Sequence, residues 1–289
     1  MKKIFLLSII IVVIVAVSAL SFMGCQGQTS LTQIFSESNI WNEATFPEVF
    51  TYNMYKADSN EVIGTLTMQV EKLNTKSSYY LSKDGIGSES DYIYSYTTAS
   101  ANATYITTTT LTLLDDSYTS TSIAIFANNF KILGSYNKVV SSSNEKITVS
   151  NNVDNKRYYY KTNADNFARE NAIKNGKYIT SPYFDNSMVY YVARSMPIDS
   201  SYTTFSFNIF DLDNNSKEKV TLAQKLETSD VVTIGETSFN TRKITMTTSD
   251  TLLGLTNNIA CYINTSKYNN ALNSIVAIQE GEYMYKLAI

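Results

Sequence analysis

The stretch VFTYNMYKADSNEVIGTLTMQV, residues 49–70, decides the fold of this chain. From residue 50 to 55, Phe, Tyr and Met alternate with Thr, Asn and Tyr. From residue 62 to 70, Val, Gly, Leu, Met and Val recur at every second position. Period-two alternation is typical of strands with one buried face. Asp58-Ser59-Asn60 separates the two runs with residues that favour turns. The stretch therefore predicts two antiparallel strands joined as a hairpin.

Similar runs continue to the C-terminus. They are rich in Tyr, Thr, Ile and Val, which favour strands, and turn residues interrupt them about every ten residues, as in antiparallel sheets. Glu280-Gly281 predicts the turn of the last hairpin. The remaining strands are predicted at residues 77–82, 92–96, 104–114, 119–130, 131–140, 146–149, 188–192, 203–212, 219–226, 231–234, 239–247, 260–264, 274–278 and 283–287.

A single helix is predicted, at Asp165 to Asn175, with Asp165 as its N-cap and Gly176 just past its end. The predicted fold class is thus mainly β: a large curved antiparallel sheet or open barrel with one helix packed on it. Residues 47–289 form this β domain. One domain and two β halves meeting near residues 150–180 both fit the length.

The N-terminus has the layout of a secretory signal. Two lysines precede an apolar run from Ile4 to Leu20, and small residues lead to Gly24-Cys25. Phe22-Met23-Gly24-Cys25 resembles the lipobox of bacterial lipoproteins, although that motif usually has Leu at its first position and Ala or Ser at its second. The resemblance implies cleavage after residue 24 and a lipid on Cys25. Residues 1–24 are then the signal peptide, and residues 25–46 are the lipidated cysteine and a polar tether. The alternative is an uncleaved membrane anchor.

Composition excludes several function classes. Without Lys2 and Lys3, 21 basic residues remain against 26 acidic ones, which argues against nucleic acid as a partner. Histidine is absent, so catalytic sites that need it are excluded. Cys261 lies in an apolar run and is predicted to be a buried core residue. No phosphate-binding glycine loop or complete calcium loop is present, so neither a metal nor a cofactor is predicted.

From Phe50 onward, the order of features is similar to that of exported bacterial proteins of unknown function. The features are Thr51-Tyr52, Ile63-Gly64-Thr65, and an aromatic segment from Asp185 to Pro197 that contains Arg194. The resemblance implies a curved antiparallel sheet around a helical segment, as in the lipoprotein-carrier (Lol-type) fold. It implies no activity, because fold does not determine function.

Three groups of residues are candidates for ligand binding. Tyr92, Tyr94 and Tyr96 share one strand face and could line a concave sheet. Arg157 and Tyr159 share another and could hold a glycan or an anionic head group. Arg194 could bind an anionic ligand or form a structural ion pair with Asp185 or Asp199. Ordinary strand faces are the explanation that the sequence favours for the first two groups. No catalytic residue is predicted.

These observations favour a non-enzymatic lipoprotein of the cell envelope. Its anchor is predicted on the outer face of the cytoplasmic membrane or on the outer membrane. It is predicted to bind an apolar or amphiphilic ligand, such as a lipid or glycan, in a cavity of roughly 300–1,000 Å³ lined by Tyr, Phe and Met. The alternative is a structural module with a filled core that binds another envelope protein. A hydrolase, the third hypothesis, needs two carboxylates about 5–10 Å apart in a cleft.

Overall fold

The structure is a computed structural model, and the part of the chain that it describes belongs to one compact unit. The described residues are 38–41, 46–56, 58–73, 78–82, 84–87, 92–97, 104–127, 130–142, 144–153, 156–163, 177–180, 184–196, 204–211, 216–224, 230–252, 256–268 and 271–289. Cys25, the lipobox and the helix predicted at Asp165 to Asn175 lie outside these residues.

Nineteen strands account for most of the described residues, and the prediction of a mainly β protein is confirmed. They are β1 (Glu48–Lys56), β2 (Val62–Lys72), β3 (Ser78–Ser82), β4 (Gly85–Gly87), β5 (Tyr92–Thr97), β6 (Tyr105–Leu113), β7 (Tyr118–Phe126), β8 (Ile132–Ser141), β9 (Asn144–Val153), β10 (Lys156–Asn163), β11 (Lys177–Thr180), β12 (Phe184–Asp185), β13 (Thr204–Asp211), β14 (Ser216–Gln224), β15 (Asp230–Ile234), β16 (Thr237–Leu252), β17 (Thr256–Asn264), β18 (Ile275–Glu280) and β19 (Tyr283–Leu287).

Sixteen of these strands form one sheet that runs through both halves of the chain. Its order is β11-β10-β9-β8-β7-β6-β2-β1-β19-β18-β17-β16-β14-β13-β12, with β15 paired to β16. All neighbours are antiparallel except β12 and β13. The predicted hairpin is confirmed as β1 and β2, in which Tyr52 lies opposite Leu66. The predicted final turn joins β18 to β19, with Glu280 opposite Tyr283 and Gly281 at a φ of 58°.

The sheet curves around a short helical segment. This segment is a 3₁₀ turn, Asn186–Met188, followed by helix α2, Val189–Ser195. The 3₁₀ turn packs on β7, and α2 packs on β17, six places along the sheet. On a flat sheet those strands would be about 29 Å apart, because neighbouring strands are spaced about 4.8 Å. The helical segment, a 3₁₀ turn of three residues followed by seven helical residues, is roughly 17 Å long. It contacts both strands because the sheet bends around it, so the predicted curved sheet with a packed helix is confirmed.

The strand predicted at Met188 to Val192 is wrong, since these residues are helical. Every residue of α2 is buried, so the segment lacks the polar stripe that identifies an amphipathic helix. Its Val and Tyr residues favour strands locally. Packing of every side of α2 against the protein stabilises the helix in spite of this local preference. Arg242 supports the end of α2 by donating from Nη2 to the Met196 carbonyl oxygen, at 2.7 Å.

The small sheet β4-β3-β5 is separate from the large one. Leu81 of β3 belongs to a buried apolar cluster with Ile106, Ile123, Ile125 and Tyr136. On β6 and β7, Ile106 and Ile123 alternate with residues that face the helix, so they lie on the convex face. The protein therefore has a second core on the outside of the curved sheet. Its other members are Leu73, Ile147 and Val149, with Leu133 at its border.

Described residues of the segment predicted as a polar tether, residues 25–46, pack against the β domain. Helix α1, Ser38–Trp41, ends at Trp41, which is 5% exposed. The centroid of its ring lies 4.7 Å from that of Tyr105, 5.5 Å from that of Phe130 and 6.3 Å from that of Tyr191. Trp41 carries a large apolar surface, and the open concave face of the sheet provides the aromatic partners that bury it.

Candidate functional site

The helical segment only partly fills the concave face, which leaves a cavity of about 730 Å³. Its apolar wall comes from β1, β2 and β6, whose inward side chains include Met54, Leu66, Leu111 and Leu113. Period-two alternation brings them together, since Leu66 lies opposite Leu111 across the β2–β6 pair. Ser122 and Asn137 add polar groups from β7 and β8.

The cavity has a buried inner part and an exposed rim. Leu114 at the rim is 63% exposed, and Glu61 and Asp115 beside it are also exposed. The inner part consists of Ser187, Tyr190, Glu280 and other buried residues. The lining tyrosines are Tyr118, Tyr190, Tyr283 and Tyr285. The described lining residues also include Met54 and four leucines, but no phenylalanine.

Glu280 is the ionisable group of the inner part and is 1% exposed. Tyr190 of α2 and Tyr285 of β19 both donate their hydroxyl groups to its Oε2, at 3.4 and 3.3 Å. Oε1 has no hydrogen-bond partner among the described residues, and neither has Oγ of Ser187. Buried polar atoms are normally paired. The inner part of the cavity therefore presents two unused hydrogen-bonding atoms.

Burial sets the ionisation of this region. Removal from water raises the pKa of Glu280 to about 7, although the two tyrosine hydrogen bonds act in the opposite direction. Burial and the nearby Glu280 together raise the pKa of Tyr190 and Tyr285 well above the ordinary value. The tyrosines stay neutral at physiological pH, whereas Glu280 is divided between its neutral and charged forms.

Arg194 lies on α2 and is fully engaged by the protein. Its Nη1 and Nη2 donate to Oε1 and Oε2 of Glu48, at 2.5 and 3.1 Å. Its Nε donates to the Asn273 carbonyl oxygen at 3.0 Å, and Nη2 also donates to that of Leu272. Trp41 donates from Nε1 to Glu48 Oε1 at 3.3 Å. Arg194 is 1% exposed and forms a structural ion pair, with Glu48 rather than Asp185 as its carboxylate partner.

The other predicted ligand-binding residues lie on strands of two different sheets. Tyr92, Tyr94 and Tyr96 lie on β5 of the small sheet, not on the large one. Arg157 and Tyr159 lie on β10, next to the edge strand β11. Only the backbones of these five residues are described, so the roles predicted for their side chains are not tested. Cys261 lies on β17, free and fully buried, as predicted.

Sequence reasoning missed both buried glutamates, yet strand parity could have found them. Glu48 shares the parity of Phe50, Tyr52 and Met54, which form the buried face of β1. Glu280 shares the parity of Ile278 at the end of β18. Each glutamate stands next to a predicted turn or strand boundary, where a charged residue is expected to face water. A charged residue that extends an apolar face by one step is the signal to look for.

No described helix reaches the length and apolar character that crossing a membrane requires. No protein-family model matches the chain, and no curated protein matches it. Among solved structures it is similar to the crystal structure of a β-barrel-like protein of domain of unknown function DUF1849 from Brucella abortus. The two are 10% identical, the similarity covers 85% of this chain and 97% of that one, and the TM-score is 0.46.

Proposed function

We propose that this protein is a non-enzymatic lipoprotein of the cell envelope that binds an apolar or amphiphilic ligand in its concave cavity. The observation that carries the proposal is the cavity of about 730 Å³, which lies within the range of ligand pockets. Leucine and tyrosine are the most frequent residues of its walls, and Ser187 and Glu280 supply polar groups at the buried inner part. An apolar chain with one polar group matches this distribution.

Recovery of the full chain from membranes in a non-ionic detergent, followed by native mass spectrometry, tests the binding. The expected result is a small-molecule adduct that organic solvent extracts. Leu111→Trp fills the cavity and should reduce the adduct at least about tenfold, the effect of about 1.4 kcal/mol. Thr110→Trp is the matched control, because the neighbouring residue on β6 faces away from the cavity. The proposal is contradicted if wild type carries no adduct. It is also contradicted if Leu111→Trp carries as much adduct as wild type.

The lipid anchor has its own test. Cys25→Ser removes the thiol that the lipobox resemblance assigns to the lipid. The variant should leave the membrane fraction and lose incorporation of a labelled fatty acid, whereas Cys261→Ser should retain both, since Cys261 is buried in the β domain. Membrane association of Cys25→Ser without the label points to the alternative of an uncleaved anchor.

A second candidate function is an interaction module that pairs through a sheet edge. Among the described strands β15 pairs only with β16, so no described strand covers its other edge. Val231 on this strand is 60% exposed. Open edges accept strands from other proteins. Loss of crosslinked partners on Val231→Lys, with the cavity adduct unchanged, favours this function.

A further inference from the structure

We propose that the ligand is a cationic amphiphile whose amine head is bound by Glu280 and Ser187 at the inner part of the cavity. This proposal rests on the proposed function and adds the chemical class and orientation of the ligand. The apolar chain lies along Leu66, Leu111 and Leu113 and extends toward the rim.

The charge of the lining selects a cation. Glu280 lies at the inner part, and Glu61 and Asp115 lie at the rim, while no Lys or Arg is among the described lining residues. Two hydrogen bonds from Ser117 to Asp115 Oδ1 lower the pKa of that carboxyl, which therefore stays charged. Fatty acids and phosphate head groups meet like charges at the rim and again at the inner part. A cation is attracted at the rim and again at the inner part.

The hydrogen-bonding atoms of the inner part fit an ammonium group. Ammonium carries three donors and no acceptor. Glu280 Oε1 and Ser187 Oγ are both able to accept, and neither has a partner among the described residues. Tyr190 and Tyr285 donate to Oε2, which orients the carboxylate and leaves Oε1 for the ligand. Tyrosine rings around the cavity add a surface that cations favour.

If Glu280 binds an ammonium group, the affinity for the ligand should depend on pH. The titratable groups that face Glu280 are Tyr190 on α2, Tyr285 and Tyr283 on β19, and Cys261 on β17. Burial raises the pKa of Tyr190, Tyr285 and Cys261, so these groups stay neutral near pH 7. Glu280, with a pKa of about 7, loses its proton as pH rises. An alkylamine stays charged over this range, so its affinity should increase with pH.

Three probes with one chain and different head groups test the proposal: hexylamine, hexanol and hexanoate. Ligand-detected NMR titrations use the full chain in a non-ionic detergent, with detergent alone as the blank. Hexylamine should bind at least about tenfold more tightly than hexanoate at pH 8. Its affinity should rise roughly ninefold from pH 6 to 8, because a carboxyl of pKa about 7 goes from about one-tenth to nine-tenths ionised.

Glu280→Gln should remove both the preference for hexylamine over hexanoate and the pH dependence of hexylamine binding. Glu282→Gln is the matched control, since Glu282 lies in the same hairpin but forms an exposed ion pair with Lys56. Ser187→Ala, a second variant with little effect on packing, should weaken hexylamine binding several-fold, and by more than it weakens hexanol binding.

The outcomes separate the two proposals. If hexanol binds in a manner sensitive to Leu111→Trp but hexylamine has no advantage, the cationic ligand is wrong and the binding function stands. The cationic ligand is also wrong, and the binding function again stands, if Glu280→Gln keeps the preference for hexylamine. If none of the three probes binds, the proposed binding function fails together with the cationic ligand.

Discussion

Burial in the folded protein disfavours the ionised form of Glu280. Its pKa rises from an ordinary 4.5 to about 7, so the folded protein holds this proton more tightly than the unfolded chain does. The resulting stability is fully present below about pH 4.5 and is lost as pH rises through 7. Glu280→Gln is neutral at every pH. Its free energy of unfolding, relative to wild type, should therefore increase by roughly 1–3 kcal/mol between pH 5 and 8.

Urea unfolding at the two pH values measures this difference. Trp41, the sole tryptophan of the chain, reports unfolding by its fluorescence. Glu282→Gln makes the same chemical change at an exposed position and should keep a constant difference from wild type. Parallel pH curves for wild type and Glu280→Gln would show that the buried carboxyl does not titrate near neutral pH.

The buried ion pair of Arg194 and Glu48 is expected to contribute strongly to stability. Arg194→Met leaves the Glu48 carboxylate buried without a counter-charge and should lower the free energy of unfolding by about 3–5 kcal/mol. Adding Glu48→Gln removes the remaining charge and should restore part of the loss. Lys56→Met breaks an exposed pair with Glu282 and should lower it by less than about 1 kcal/mol. Equal losses for Arg194→Met and Lys56→Met contradict a structural role of the buried pair.

At the scale of elements, Gly64 allows β2 and β6 to approach closely. A Cβ atom at this position would lie 2.7 Å from the Thr112 carbonyl oxygen, so the two strands would have to separate. Gly64→Ala should therefore destabilise the protein by about 1–3 kcal/mol, as overpacked core positions do. Thr65→Ala, on the other face of β2, should lower the free energy of unfolding by less than about 1 kcal/mol. Urea unfolding measures the stability of both variants. If Gly64→Ala is as stable as wild type, the sheet accommodates the added Cβ atom and the close approach is not required.

The elements show what could be predicted from sequence. The β1–β2 and β18–β19 hairpins follow from alternation and turn residues, which are local features. Helix α2 does not, because apolar residues on all its sides give no period to detect. The cavity and the Glu48–Arg194 pair join positions far apart in the chain, and a single sequence records no such pairing.

At the scale of the whole molecule, β19 completes the sheet. It pairs with β1 on one side and with β18 on the other, and it contributes Tyr283 and Tyr285 to the cavity. Deletion of residues 283–289 opens two strand edges in the middle of the sheet, so the thermal unfolding transition should disappear. Deletion of Ile289 alone, which is exposed, should leave it in place. Circular dichroism during heating distinguishes the two, and a retained transition in the longer deletion contradicts the role of β19.

The pairing of β1 with β19 also affects the order in which the sheet can form. Ribosomes make β1 before the other described strands and β19 after them, and Tyr52 can pair with Leu287 only once β19 has been made. The strands from β2 to β11 pair with near neighbours in sequence and can form during synthesis. The edge of β1 that pairs with β19 stays without that partner while the strands between them are synthesised. Until β19 has been made, that edge can pair with a strand of another chain, so a chaperone that shields it would act before the synthesis of β19.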